Sequence, residues 1–165
     1  MDVEIRVDGL DELREKFAQF DEVAVVEIRR AMGVAVETVG KLARAKAPVN
    51  LGHLRASITT KVTSGALVNQ VQGIVGAYQP YARVVEEGAD PHWPNMANLH
   101  YWVVRKLGLR GSEAQVATFL IARAISRGGL RPQPYMRPAL EEAKPKIKSE
   151  FEQAVARILE KLELV

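Results

Sequence analysis

Three histidines, His53, His92 and His100, and the carboxylate pair Glu86-Glu87 are the side chains here whose types suit catalysis or metal binding. Their spacing does not. The histidines lack the His-x-x-x-His interval that sets two imidazoles on one helix face. Adjacent carboxylates on a helix point in different directions. No Gly-x-Ser-x-Gly, Gly-x-Gly-x-x-Gly or phosphate-loop pattern occurs. Cysteine is absent, which removes disulfides, thiolate nucleophiles and cysteine-ligated zinc. The residues therefore read as those of a non-enzyme, with no cofactor and no metal. Arg55 and Glu86 remain of interest. A guanidinium can grip a carboxylate through two parallel hydrogen bonds. Such a contact, within a subunit or across a seam, fixes register more than it adds affinity.

The elements that carry these residues follow from hydropathy. The chain has 165 residues, 47% hydrophobic and 26% charged, which suits one domain with a real core. No apolar run approaches the roughly 18 residues that cross a bilayer, and no secretory signal is visible at the N-terminus. The net charge of +3 permits contact with DNA without arguing for it.

Val3, Ile5 and Val7 alternate with charged residues as a half-buried strand does, and Gly9 ends it. Leu10, Leu13, Phe17 and Phe20 recur at helical spacing. Asp21 is placed to cap a second helix, whose apolar stripe is Val25, Ile28, Met32, Val36, Val39 and Leu42. Pro48 stops that helix near Ala47. A loop with a helical turn leads to strands at Ser57 to Thr63 and Val68 to Val75, with Gly73 and Gly76 as bulge or bend positions. A short helix from Tyr81 to Glu87 stops at Gly88.

Residues 89–129 form a helical insertion. Asn98 is placed to cap its first helix (Leu99, Trp102, Val103, Leu107). Ser112 and Gln115 have capping-box spacing for its second. Gly128-Gly129 closes the block, and a proline-containing arm follows, extended over the surface. A last helix runs from Pro138 to Leu164, with Pro145 starting or kinking it. The fold class is α+β: a small antiparallel sheet packed against two long helices, N-terminal and C-terminal, in a single domain 1–165.

Four segments occur in one order. Val7-Asp8-Gly9-Leu10-Asp11-Glu12-Leu13 ends the first strand. Ala47-Pro48-Val49-Asn50-Leu51-Gly52-His53-Leu54-Arg55-Ala56-Ser57-Ile58 follows the long helix. Tyr81-Ala82-Arg83-Val84-Val85-Glu86-Glu87-Gly88 follows the hairpin. Gln133-Pro134-Tyr135-Met136-Arg137-Pro138-Ala139-Leu140 enters the last helix. This order resembles the head–tail connector or tail-completion (neck) family of long-tailed bacteriophages and prophages. Asn50-Leu51 stands for that family's usual Asp-Thr, Tyr135 for Phe, and Ala89 for the Thr that often follows the glycine.

The resemblance implies a structural virion protein, made in the host bacterial cytoplasm and located at the neck or tail. It implies a homo-oligomeric ring that touches neighbouring head-connector and tail proteins, with no membrane. The fold and self-assembly candidates are Pro48, Gly52, Leu54, Arg55, Ser57, Tyr81, Glu86, Gly88, Pro134, Tyr135, Arg137 and Pro138. Arg105, Lys106, Arg110, Arg123 and Arg127 are candidates for contact with passing DNA through phosphates. The alternative reading is a small DNA-binding regulator using the Leu99–Arg127 helices, since their glycine-containing link imitates a helix-turn-helix.

Overall fold

The computed structural model describes residues 10–162, with side chains from Phe20 onward. The strand expected around Val3, Ile5 and Val7 lies outside the described residues, as do the side chains of Leu10, Leu13 and Phe17. Helix α1 spans Leu10–Lys46, α2 His53–Ala56, β1 Ile58–Thr63, β2 Gln72–Ala77, α3 Ala82–Glu87, α4 Met96–Leu107, α5 Gly111–Gly128 and α6 Met136–Lys161. The fold is α+β, with a two-stranded antiparallel sheet of β1 and β2. Among the described residues, no helix is long and apolar enough to cross a membrane.

Two compact units share the chain. The first holds Met1–Leu42, Thr59–Gly76 and Ala139–Val165; the second holds Ala43–Ile58 and Ala77–Pro138.

In the first unit α1 and α6 bury alanines: Ala24, Ala31 and Ala35 from one helix, Ala139, Ala143 and Ala154 from the other. Alanine loses no rotamer entropy on burial and is the best helix former, so these positions serve packing and helix together. Ala24, Ile158 and Leu162 form one apolar cluster, with Val23, Ile28 and Val68 against it. Glu27 is buried at this helix pair. Its carboxylate accepts from Arg157 Nε at 2.7 Å and Lys161 Nζ at 2.6 Å. Arg157 also reaches Glu150 at 3.3 Å. A buried carboxylate is tolerated when it is paired in this way. The Lys161 ammonium and then the Arg157 guanidinium hold its pKa below the usual carboxylate range, against the upward pull of burial. Gly73 of β2 is a close-approach residue. A β-carbon there would stand 2.5 Å from Met32 Sδ and 2.6 Å from Val36 Cγ1, so the missing side chain lets β2 lie on α1.

In the second unit α4 and α5 bury Val103, Ala114, Thr118, Ala122 and Ile125. The Thr118 hydroxyl donates to the Ala114 carbonyl at 2.6 Å and lies 3.1 Å from His100 Nδ1. Its one proton is thus committed, so His100 Nδ1 carries the hydrogen and donates.

Five expected boundaries differ. Helix α6 starts at Met136 and not at Pro138, and Pro145 lies inside it rather than starting it. Asp21 caps no helix: α1 passes through it without interruption, because the apolar stripe continues across that turn. The second strand of the hairpin starts at Gln72 and not at Val68. Val68–Gln70 is a 3-10 turn, closed by the Gln70 amide on the Leu67 carbonyl at 3.0 Å. The cap of α4 is Asn95, whose Oδ1 accepts from the Asn98 amide at 3.0 Å; Asn98 is the donor and not the cap. Helix α5 starts at Gly111 with Arg110 at the cap position and no side-chain capping bond, so Ser112 lies inside the helix.

Candidate functional site

The corner after α1 is built by backbone geometry. Pro48 follows the last turn, and Gly52 adopts φ +80° at the start of α2, a left-handed conformation that glycine takes without steric cost. The Ala56 amide then donates to the Gly52 carbonyl at 2.9 Å and the Ser57 amide to the His53 carbonyl at 3.0 Å. The Ser57 hydroxyl closes the turn on the Leu54 carbonyl at 2.8 Å. Leu54 is buried, while Arg55 is exposed. From α1, Arg44 donates through Nε at 3.2 Å and Nη2 at 3.0 Å to the Ile58 carbonyl, which ties the last helical turn to the start of β1.

Glu86 lies at the end of α3 and holds the start of α6. Its Oε2 accepts from the amides of Tyr135 at 2.7 Å and Met136 at 2.8 Å, and its Oε1 from Arg137 at 2.9 Å. A helix leaves its first four amides without intrahelical partners. Here three go to one carboxylate, and the fourth position is Pro138, which has no amide hydrogen. The negative charge also faces the positive end of the helix dipole. Partial burial raises the Glu86 pKa, but the three amide bonds and the Arg137 charge outweigh it and hold the group below its ordinary value. Arg55 and Glu86 thus form no pair within the chain; Glu86 spends its oxygens on backbone.

The arm before α6 is tied to its own subunit. The Gln133 amide donates to the Val85 carbonyl at 2.8 Å. Ala89 and Leu130 exchange both backbone bonds, at 3.1 and 2.8 Å, as one antiparallel pair. Gly88 at φ +80° and Gly129 at φ +69° flank it, and a β-carbon on either would strike the backbone opposite. This clasp closes the base of the 89–129 block.

These pieces line one open groove of about 770 Å³. The Pro48–Leu54 corner, Tyr81 at the cap of α3, Val84 and Val85 of α3, the Leu130–Gln133 arm and α4 residues Tyr101, Trp102 and Lys106 form its walls. Val49, Leu51, Tyr81 and Tyr101 are exposed apolar or aromatic side chains there. His53, Lys106 and Arg131 supply the basic groups, and the lining includes no Asp or Glu. Such a surface suits an apolar segment that carries negative charge.

Of the expected residues, Pro48, Gly52, Leu54 and Tyr81 line the groove. Ser57 closes the corner, Gly88 permits the clasp, and Glu86 meets the first turn containing Arg137 and Pro138. Tyr135 is buried, and burial, then the Glu86 charge and Tyr81, push its phenol up. Pro134 is exposed on the arm. The exposed residues Arg105, Arg110, Arg123 and Arg127 lie outside the groove lining, whereas Lys106 is part of it. Sequence reasoning missed Arg44 as the corner's tie and Tyr101 and Trp102 as groove wall. Helical spacing alone gives no signal for which face meets a distant loop.

Residues 11–88 match the model of the HK97-gp10-like family, described as "Bacteriophage HK97-gp10, putative tail-component". That is a phage tail-component family, in keeping with the head–tail connector family the motifs resemble. The match contains the Pro48 corner, the hairpin and Glu86, and ends at the glycine that opens the clasp. Comparisons with curated proteins and with solved structures gave no match.

Proposed function

We propose that this chain is a non-catalytic structural subunit of a bacteriophage tail, located at the junction with the head. In this reading it assembles into a homo-oligomeric ring and joins the head connector to the tail. The observation that carries it is the convergence of the resemblance motifs. The Pro48–Gly52 corner, Tyr81, Val84 and Val85 of the second motif, and Gln133 at the start of the third, far apart in sequence, line one largely apolar groove without Asp or Glu. Three motifs meeting at an exposed groove favour a docking surface over a catalytic pocket, since the lining holds no nucleophile with an adjacent base. Within this proposal, residues 89–129 are an insertion in a single domain, closed by the Ala89–Leu130 clasp. The exposed Arg105, Arg110, Arg123 and Arg127 are open to phosphates of passing DNA.

Electron microscopy of purified particles, with the chain located by a fused label, tests the reading. Density for several copies around the axis at the head–tail junction is the expected result. Particles that mature without the chain would remove the structural role.

A further inference from the structure

Helix α5 has two unlike faces. One buries Ala114, Thr118, Ala122 and Ile125 within the second unit. By helical periodicity the opposite side carries Glu113, Val116, Ala117, Leu120, Ala124 and Arg127. Val116 is 59% exposed and Leu120 56%, so the centre of this outer face is apolar and open to solvent. Phe119, half exposed, borders it with its ring edge-on to Trp93, 6.1 Å between centroids. Together with Leu109 and Ser112, the N-terminal half of the face lines a shallow depression of about 540 Å³. Contiguous exposed apolar surface marks an interaction site, unlike single scattered side chains.

The order of charges along the face identifies its partner. Glu113 lies in the first turn of α5 and Arg127 in the last. Both are exposed, and neither forms an ion pair among the described residues. Leu120 stands midway, seven residues from each. Seven residues are close to two helical turns, so the three side chains share one stripe.

We infer that α5 pairs antiparallel with α5 of a second copy, about a two-fold axis at Leu120. A two-fold contact sets the same patch on both partners, and this patch is self-complementary. Glu113 of each copy meets Arg127 of the other, the two Leu120 side chains meet at the axis, and Val116 lies on Ala124. A parallel pair would set Glu113 on Glu113 and Arg127 on Arg127, which like-charge repulsion opposes. Antiparallel packing also sets the positive end of each helix dipole beside the negative end of the other. Duplex DNA would answer Arg127 but would meet the Glu113 charge and leave Val116 and Leu120 uncovered. A ring of more than two subunits closes through head-to-tail contacts. The α5 pairing is therefore separate from a ring seam and stands whether or not a ring forms. One helix pair is a small interface, so the dimer is concentration-dependent.

The chain has no cysteine, so single introduced cysteines in the full chain report the contact directly. Leu120→Cys is expected to give disulfide-linked dimers under mild oxidation with copper phenanthroline. Glu113→Cys and Arg127→Cys are expected to stay monomeric when oxidised separately and to cross-link when mixed. In sedimentation of concentrated chain, Glu113→Arg and Arg127→Glu should each weaken the dimer about tenfold, and the double variant should restore it. Circular dichroism checks that each variant folds. Both charges also suit the dipole of their own helix; the double variant reverses that benefit, so its rescue reports pairing alone.

Leu120→Cys that stays monomeric overturns the inference. So does Glu113→Cys that links to itself, the mark of a parallel contact. A double variant that associates no better than the single ones overturns it too. The same holds if Arg127→Glu loses duplex-DNA retention while its dimer is unchanged, which assigns that arginine to phosphate. None of these results bears on the ring or on a place at the head–tail junction.

Discussion

At the scale of single residues, Glu86 has the most defined role. It supplies the acceptors for three amides that α6 cannot satisfy internally. Glu86→Gln keeps one carbonyl oxygen but loses the charge and the second acceptor. Hydrogen bonds to charged groups contribute about 1.5–3 kcal/mol each when lost, so a destabilisation of about 2 kcal/mol or more is expected at neutral pH. The pH dependence has a definite sign. The folded pKa is depressed, so the native state favours the ionised form. That stabilisation is fully present above the unfolded-state value, and it disappears as pH falls through the folded value. Urea unfolding of both chains should show the gap between them narrowing as pH drops through the carboxylate range. A gap constant with pH would mean that the amide variant fails for shape and not for charge. None of this was legible in the sequence. The type and position of Glu86 invited a guanidinium partner, Arg55. Its actual partners are backbone amides 49 to 51 positions away, and amides leave no residue-type signature.

At the scale of elements, legibility followed the locality of the signal. The end of α1 before Pro48, the turn at α2, the strand at Ile58–Thr63 and the stop of α3 at Gly88 each depend on a few neighbouring residues, and the sequence showed them. The cap of α4 did not, since Asn95 and Asn98 are both capable and only the path of the chain out of the preceding loop chooses between them. Gly73 was visible as an exception within a strand, but its cause, the Met32 and Val36 side chains of α1, lies on another element. The Ala89–Leu130 clasp has the same character. Gly88 and Gly129 were legible as punctuation, not as a matched pair. Gly129→Ala places a β-carbon against the Ala89 carbonyl at a φ that L-residues resist. We expect a loss of about 1–3 kcal/mol from the backbone conformation alone. Hydrogen exchange at the Ala89 and Leu130 amides should accelerate. A variant as protected as wild type would show that the clasp tolerates a side chain.

At the scale of the whole molecule, the clasp sets a limit on how the 89–129 block is attached. Ala89 and Leu130 exchange both backbone hydrogen bonds, which in an antiparallel pair sets their α-carbons about 5.5 Å apart. A two-residue type I′ turn joins such a pair without strain, and Asn-Gly is its preferred sequence. Replacing residues 90–129 by Asn-Gly therefore preserves the register already present and leaves Glu86 and the arm in place. If the block is an insertion, the shortened chain should remain soluble and helical, and it should unfold cooperatively in urea. It would still lose the groove wall formed by Tyr101, Trp102 and Lys106 and the outer face of α5, and with that face self-association. Calorimetry and far-ultraviolet circular dichroism read the first property, and cross-linking reads the second. A shortened chain that is unfolded would show that α4 and α5 belong to the core that holds the Pro48 corner and Tyr135, so that groove and fold cannot be separated.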